Sequence, residues 1–288
     1  MTLPNFVEIT EVGPRDGLQS QSAILSTEQK VRWISSLVEA GIERIEVGAF
    51  VSSKAVPAMA DSFKVICQLP QSKDLRYMAL VPNEKGLDKA LEAKLSEIAV
   101  FTSLSETFCQ KNINTSIQGS YDRFETVISR AKKENIFVRA YISCVFSCPY
   151  EGDIRTETLI PVAERLFEMG CDEISLGDTL GTATVEQTRL VYSEVEKRYD
   201  TNKVVAHFHD SYGGALDNIA LLLEMGFFKF DSSAGGIGGC PYAPGASGNV
   251  ATEDLLTYLD QLGISTGIHK EKLQKSTLIL NNYLNKSS

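Results

Sequence analysis

Positive charge is in short supply in this chain. Twenty-eight lysines and arginines stand against 37 aspartates and glutamates, a net charge of −9 over 288 residues. That balance excludes nucleic acid as a main partner, while leaving room for a local basic pocket. Long apolar runs are missing too: no stretch of about 18 such residues occurs, so no membrane-spanning helix is expected. The six cysteines show no doubled C-x-x-C spacing, which excludes a zinc knuckle; Cys144 and Cys148 come closest. Neither the opening MTLPNFVEIT nor the closing LNKSS carries a leader or lipidation signal, so the expected compartment is the cytoplasm, with reduced and mostly buried thiols. Histidine is scarcest among the reactive residues. There are three, and two of them, His207 and His209, stand one residue apart in AHFHDSYG.

A degenerate repeat supplies the architecture. VEAGIERIEVG from Val38, FEMGCDEISLG from Phe167 and LEMGFFKFDSS from Leu223 each place a glycine at a helix end, then a strand at a fixed distance. LEAKLSEIAVF from Leu91 keeps the register with Lys94 in place of glycine. Glycine suits the left-handed position that ends a helix, and repeated helix-to-strand units mean alternating β and α elements around a parallel sheet. Eight strands are expected, at 7–12, 44–48, 76–81, 97–102, 137–143, 173–177, 203–209 and 228–232. Amphipathic helices lie between them. Ser26 with Gln29, and Thr184 with Gln187, read as capping boxes. The fold class is therefore α/β, a (β/α)8 TIM barrel, forming one domain over 1–288. Residues 251–288 are expected as a helical C-terminal extension at the barrel mouth, with helices near 251–262 and 269–284. An open doubly wound sheet is disfavoured, because no G-x-G-x-x-G follows the first strand.

In such a barrel the working residues gather at the C-terminal ends of the strands. His207 and His209 end the seventh strand, and residues i and i+2 share a face, so both imidazoles can reach one divalent cation there. The first strand ends in VGPRDG, which holds Arg15 and Asp16 at the same height. Asp16 suits as an oxygen ligand and Arg15 as a cation facing a developing oxyanion; a local ion pair stabilising the turn is the plainer alternative. Glu46 in the second strand points into the lumen and needs a cationic partner, catalytic or structural. SLGDTLG brings Ser175, Asp178 and Thr179 to the mouth. AGGIGGCPYAPGASGNVATED, residues 234–254, wraps six glycines and two prolines around Cys240. It reads as a flap that delivers a thiol, with Asn249 as an amide-oxygen ligand where the chain re-enters helix.

VGPRDGLQ, SCVFSCPYEG, EISLGDTLG, HFHDSYG and GGCPYAPGASGNVATEDL together resemble the 3-hydroxy-3-methylglutaryl-CoA (HMG-CoA) lyase family. The resemblance runs from about Val7 to the C-terminal helix, and the cysteine flap is its most specific part. It implies cleavage of HMG-CoA into acetyl-CoA and acetoacetate, as in leucine degradation. It also implies a Mg2+ or Mn2+ ion held by Asp16, His207, His209 and Asn249. By the same resemblance Arg15, Asp16, Glu46, Asp178, His207 and Cys240 match catalytic positions, Asn285 and Lys286 face coenzyme A, and the assembly is a homodimer. The chain departs from the family in GTATVEQ after the sixth strand, in Gly48 and Ala49, and in lacking a C-terminal regulatory cysteine. The alternatives are a Claisen-type synthase on the same scaffold, a lyase for a longer 3-hydroxyglutaryl-CoA, and a non-catalytic metal-binding barrel.

Overall fold

In the computed structural model, which describes residues 3–239 and 248–286, eight parallel strands close on themselves. They are β1 (Glu8–Glu11), β2 (Arg44–Ala49), β3 (Arg76–Leu80), β4 (Glu97–Ser103), β5 (Phe137–Ser143), β6 (Glu173–Asp178), β7 (Val204–Phe208) and β8 (Lys229–Ser232). Each pairs with its sequence neighbours, and β1 closes the ring on β8 with Glu8 opposite Lys229 and Glu11 opposite Ser232. A short hairpin, Ser147–Cys148 with Gly152–Asp153, decorates the loop after β5.

The helices are α1 (Thr27–Glu39), α2 (Ser62–Ile66), α3 (Glu84–Glu92), α4 (Glu106–Ile113), α5 (Ile117–Lys133), α6 (Leu159–Glu168), α7 (Val185–Glu196), α8 (Ala215–Glu224), α9 (Thr252–Gln261) and α10 (Lys270–Lys286). Both expected capping boxes form, at Ser26 with Gln29 and Thr184 with Gln187. The repeat has a physical basis: Gly41, Gly170 and Gly226 take φ of 93°, 105° and 86°. Lys94 is forced into the same left-handed region at φ 56°, a conformation that costs a residue with a Cβ about 1 kcal/mol. Asn135, at φ 57°, makes a fifth such turn after α5, which a glycine pattern does not reveal.

Helix α9 occupies the eighth place in the helical ring. The chain then passes under the barrel floor, where Val7 N donates to Ser265 O at 2.9 Å and His269 N to Ala40 O at 2.7 Å. From there α10 climbs the outside of α1, its Ser276 hydroxyl 2.7 Å from that of Ser36, while Thr277 bonds Glu253 at the start of α9. One apolar cluster between sheet and helices runs from Val7 to Leu280, with Trp33, Tyr192 and Phe227 fully buried in it.

The lumen is filled differently. Its apolar content is small, a cluster of Met78, Ala99 and Tyr141. Below and around it lie ion pairs: Arg44 reaches Glu97 at 2.8 Å and Glu173 at 2.9 Å, and Lys229 reaches Glu173 at 2.9 Å. Arg139, completely buried, bridges Glu173 and Asp231 at 2.7 Å each. Buried charges persist only when paired and hydrogen-bonded, and this network supplies both conditions. It forms a rigid polar floor under the mouth.

Candidate active site

The turn after β1 is wound tightly. The amides of Arg15, Asp16 and Gly17 converge on the carbonyl of Val12 at 3.1, 2.8 and 3.3 Å, with Pro14 where no amide is needed. The turn aims two charged side chains in different directions. Arg15 donates to Asp16 at 2.8 Å and to Glu46 at 2.7 Å, and its guanidinium lies 5.2 Å from the centroid of the Tyr141 ring. Glu46 accepts a further bond from the Tyr141 hydroxyl at 3.0 Å. The bulge in β2 between Glu46 and Gly48 lets Glu46 face inward at this height. Arg15 is thus gripped on two sides, with its Nε buried and unpartnered.

Across the mouth, the ligand atoms of Asp16, His207 and His209 all lie within 4.8 Å of one another. Burial opposes ionisation of Asp16, but Arg15 and the two imidazoles hold its carboxyl down at about 2. Burial, then the neighbouring His207, pushes His209 down to about 4, so its ring is neutral with a lone pair to give. His209 Nδ1 is buried without a hydrogen-bond partner, a donor atom left over for an ion. One carboxylate oxygen and two imidazole nitrogens make a mixed donor set suited to a divalent cation. Asn249 pairs with His209 across a short bridge, and its Nδ2 donates to Asp16 Oδ2 at 2.9 Å and to Ile237 O at 3.1 Å. Ligation by Asn249 requires its amide oxygen turned toward Asp16.

The cluster opens into a cavity of about 980 Å³, which Arg15, Asp16, His207 and His209 line on one side and Phe101 and Phe108 on another. Ser20, Gly238 and Gly239 form its rim near the glycine loop. The two sides of that loop's stem are bonded by Asn249 N donating to Gly238 O, and the segment after β7 is tied to the stem by Asp210 N donating to Gly248 O, both at 2.8 Å.

The other expected residues divide. Asp178 is turned away from the cavity, its oxygens accepting the amides of Thr182 at 3.1 Å and Ala183 at 3.0 Å, and burial pushes it up to about 6. Ser175 donates to Asp231 at 2.8 Å, below the cavity. Thr179 lines the cavity and accepts from Cys144 N. Asn285 is exposed on the last turn of α10, next to Lys286. Cys240 lies outside the described residues.

Sequence reasoning missed Asp231, Arg139 and Tyr141. Asp231 stands opposite His207 in the β7–β8 ladder, 3.2 Å from its Nδ1. The pull of Asp231 outweighs burial and raises His207. Burial resists ionisation of Asp231 itself, but Arg139 holds it below the usual carboxylate range. A signal for these residues did exist: Arg139 and Tyr141 alternate with Val138, Ala140 and Ile142 in β5, as lumen-facing positions must.

The HMGL-like family matches residues 6–279 of this sequence. The chain belongs to that family. It is 47% identical to the cytoplasmic 3-hydroxy-3-methylglutaryl-CoA lyase of Rattus norvegicus, over 99% of this chain and 83% of that protein. The crystal structure of the hydroxymethylglutaryl-CoA lyase from Pseudomonas aeruginosa superimposes with a TM-score of 0.96 at 46% identity, covering 100% of this chain and 96% of that one. The HMG-CoA lyase of Acinetobacter baumannii in complex with coenzyme A and 3-methylmalate gives a TM-score of 0.94 at 33% identity, covering 99% of this chain and 93% of that one. These family relatives share the closed barrel essentially end to end.

Proposed function

We propose that this chain is a carbon–carbon lyase that cleaves 3-hydroxy-3-methylglutaryl-CoA into acetyl-CoA and acetoacetate. The observation that carries the reading is the Asp16, His207 and His209 cluster with Arg15 bonded to Asp16, on the mouth of a family barrel. In the reaction the C2–C3 bond breaks, the tertiary hydroxyl on C3 loses its proton, and its oxygen becomes the ketone of acetoacetate. The electron pair passes to C2, making the thioester enolate, which a proton converts to acetyl-CoA.

Asp16, His207, His209 and Asn249 would hold Mg2+ or Mn2+, which when bound lowers the pKa of the substrate's hydroxyl. His207, with its Nδ1 proton directed at Asp231 and its Nε2 given to the ion, has no lone pair left for a proton. The acceptor for the hydroxyl's proton is therefore the carboxylate of Asp16, an anion held at about 2 and a weak base that suffices only for a hydroxyl already acidified. Arg15 is kept in place by Glu46 and Asp16 and lines the cavity, where its guanidinium is the cation for the enolate oxygen. Glu46, pushed up by burial against the pull of Arg15, acts by orienting that guanidinium. Asp178 supports catalysis through the loop it caps, and Cys240 protonates the departing carbon, since an unperturbed thiol stays mostly protonated at neutral pH. Asn285 and Lys286 take the coenzyme A moiety. The protein works as a single barrel domain in which α9 belongs to the ring and only the chain beyond it, with α10, is an extension, as a homodimer in the cytoplasm. No helix among the described residues is long and apolar enough to cross a membrane.

The test is a substrate panel run with Mn2+, with Mg2+ and with chelator. One acetoacetate per HMG-CoA consumed, abolished by chelator and restored by metal, is the expected result. Release of free coenzyme A from acetyl-CoA and a 2-oxo acid, with no HMG-CoA cleavage, would instead establish a synthase. Cys240→Ala should keep Mn2+ binding and lose most turnover.

A further inference from the structure

Glu11 is a fully enclosed carboxylate on the mouth side of the barrel, at 0% exposure, and it is not among the residues that line the cavity. Four hydrogen bonds from three separate segments end on it. Its Oε1 accepts the amide of Gly13 at 2.9 Å, at the start of the turn that carries Arg15 and Asp16. Both of its oxygens accept the amide of Ala234, at 2.9 and 3.0 Å, where the glycine loop departs from β8. Its Oε2 accepts the hydroxyl of Thr252 at 2.8 Å, where the same loop returns into α9. The loop's two ends are also bonded to each other, Ser233 N to Val250 O at 3.0 Å and Thr252 N to Ser233 O at 3.1 Å. The fit around Gly13 is tight: a Cβ there would come within 2.6 Å of Glu11 Oε1.

We propose that Glu11 is a positioning residue that sets the Arg15–Asp16 turn and the two ends of the Cys240 loop in one fixed relation. This rests on the reaction proposed above and deepens it. The geometry required is demanding, because Asp16 comes from one segment, Asn249 from the loop's return and Cys240 from between its ends. A single acceptor bonded to all three roots removes the freedom of each to drift against the others. Among the described residues, the charged group placed to oppose Glu11 is Glu253, one residue beyond Thr252. The role belongs to the hydrogen-bond pattern rather than to the charge, since Gln can reproduce most of it. A glutamine oxygen keeps Gly13 and Ala234, and its amide can donate to Thr252, whose hydroxyl then turns to Ser232, 2.8 Å away.

The experiment compares Glu11→Ala and Glu11→Gln by steady-state kinetics and by Mn2+ titration calorimetry without substrate. Glu11→Ala should lower kcat about 100-fold, the scale of an ångström-sized misplacement, with KM nearly unchanged. Its Mn2+ affinity should fall about tenfold, as for other groups that orient metal ligands. Glu11→Gln should restore both to within about fivefold of the parent, a rescue that lost stability alone would not produce. A folded Glu11→Ala protein with parental kcat and Mn2+ affinity overturns the proposal, and so does a Glu11→Gln protein no better than Glu11→Ala. If Glu11→Ala does not fold, Thr252→Val removes one donor without a cavity, and parental kcat and affinity there overturn it equally. Mn2+ affinity is read without turnover, so an error in the assigned substrate would leave this test intact.

Discussion

Asp231→Asn isolates one atom-level claim. Asp231 is fully buried and kept ionised by Arg139 at 2.7 Å, with Ser175 donating at 2.8 Å. An ionised carboxylate only accepts, so the Nδ1 of His207 at 3.2 Å carries the proton and Nε2 is left with the lone pair. In the asparagine variant Arg139 still demands the amide oxygen, and the amide nitrogen then faces Ser175 and His207. Nδ1 must now accept, the ring proton moves to Nε2, and the imidazole loses its ligating tautomer. Altering a group that orients a metal-bound histidine weakens metal binding about 10- to 100-fold, or about 1.4–2.7 kcal/mol. The stability change should be smaller than the roughly 3–5 kcal/mol of a broken buried pair. Arg139 keeps Glu173 at 2.7 Å and Thr10 at 3.1 Å. Calorimetric titration with Mn2+, alongside urea unfolding, measures both quantities. A Kd within twofold of the parent, in a protein of normal stability, would refute the assignment of His207 as a ligand held by Asp231.

Arg15→Met leaves Glu46 with only the Tyr141 hydroxyl, and kcat should fall about 10²- to 10³-fold, as for a lost oxyanion donor. Mn2+ affinity should change far less, and a KM effect without a kcat effect would contradict that role. Gly248→Ala places a Cβ 1.1 Å from Gly238 O, a backbone clash that must open the loop stem. We expect a loss of about 1–3 kcal/mol in thermal unfolding together with reduced kcat, and parental turnover would show that the stem need not stay closed. Burial raises Glu11 to about 7 despite its hydrogen bonds. The folded protein therefore binds that proton more tightly than the unfolded chain does. Its contribution to stability is full below the unfolded carboxylate range and is lost as pH rises toward about 7, in all about 3 kcal/mol. Glu11→Gln should flatten this slope in denaturant titrations between pH 5 and 8; an unchanged slope would assign it to another group.

The primary structure alone determined the barrel. Strand positions could be read to within one residue at each end because two periodicities coincide: period-two apolar runs, and a left-handed turn at a fixed distance before the next strand. Arg15, Asp16, His207 and His209 were legible for a related reason. Each sits at a strand end, and in a closed parallel barrel all strand ends share one rim. Residues inside the lumen were not legible to the same degree. Alternation says that Arg139, Glu173 and Asp231 face inward, but not which opposes which, since shear decides who meets across the barrel axis. The turning of Asp178 onto the amides of Thr182 and Ala183, and the gathering of three distant backbone segments around Glu11, were decided only by tertiary packing. A carboxylate's role depends on which donors reach it, and those donors come from parts of the chain up to 241 residues away.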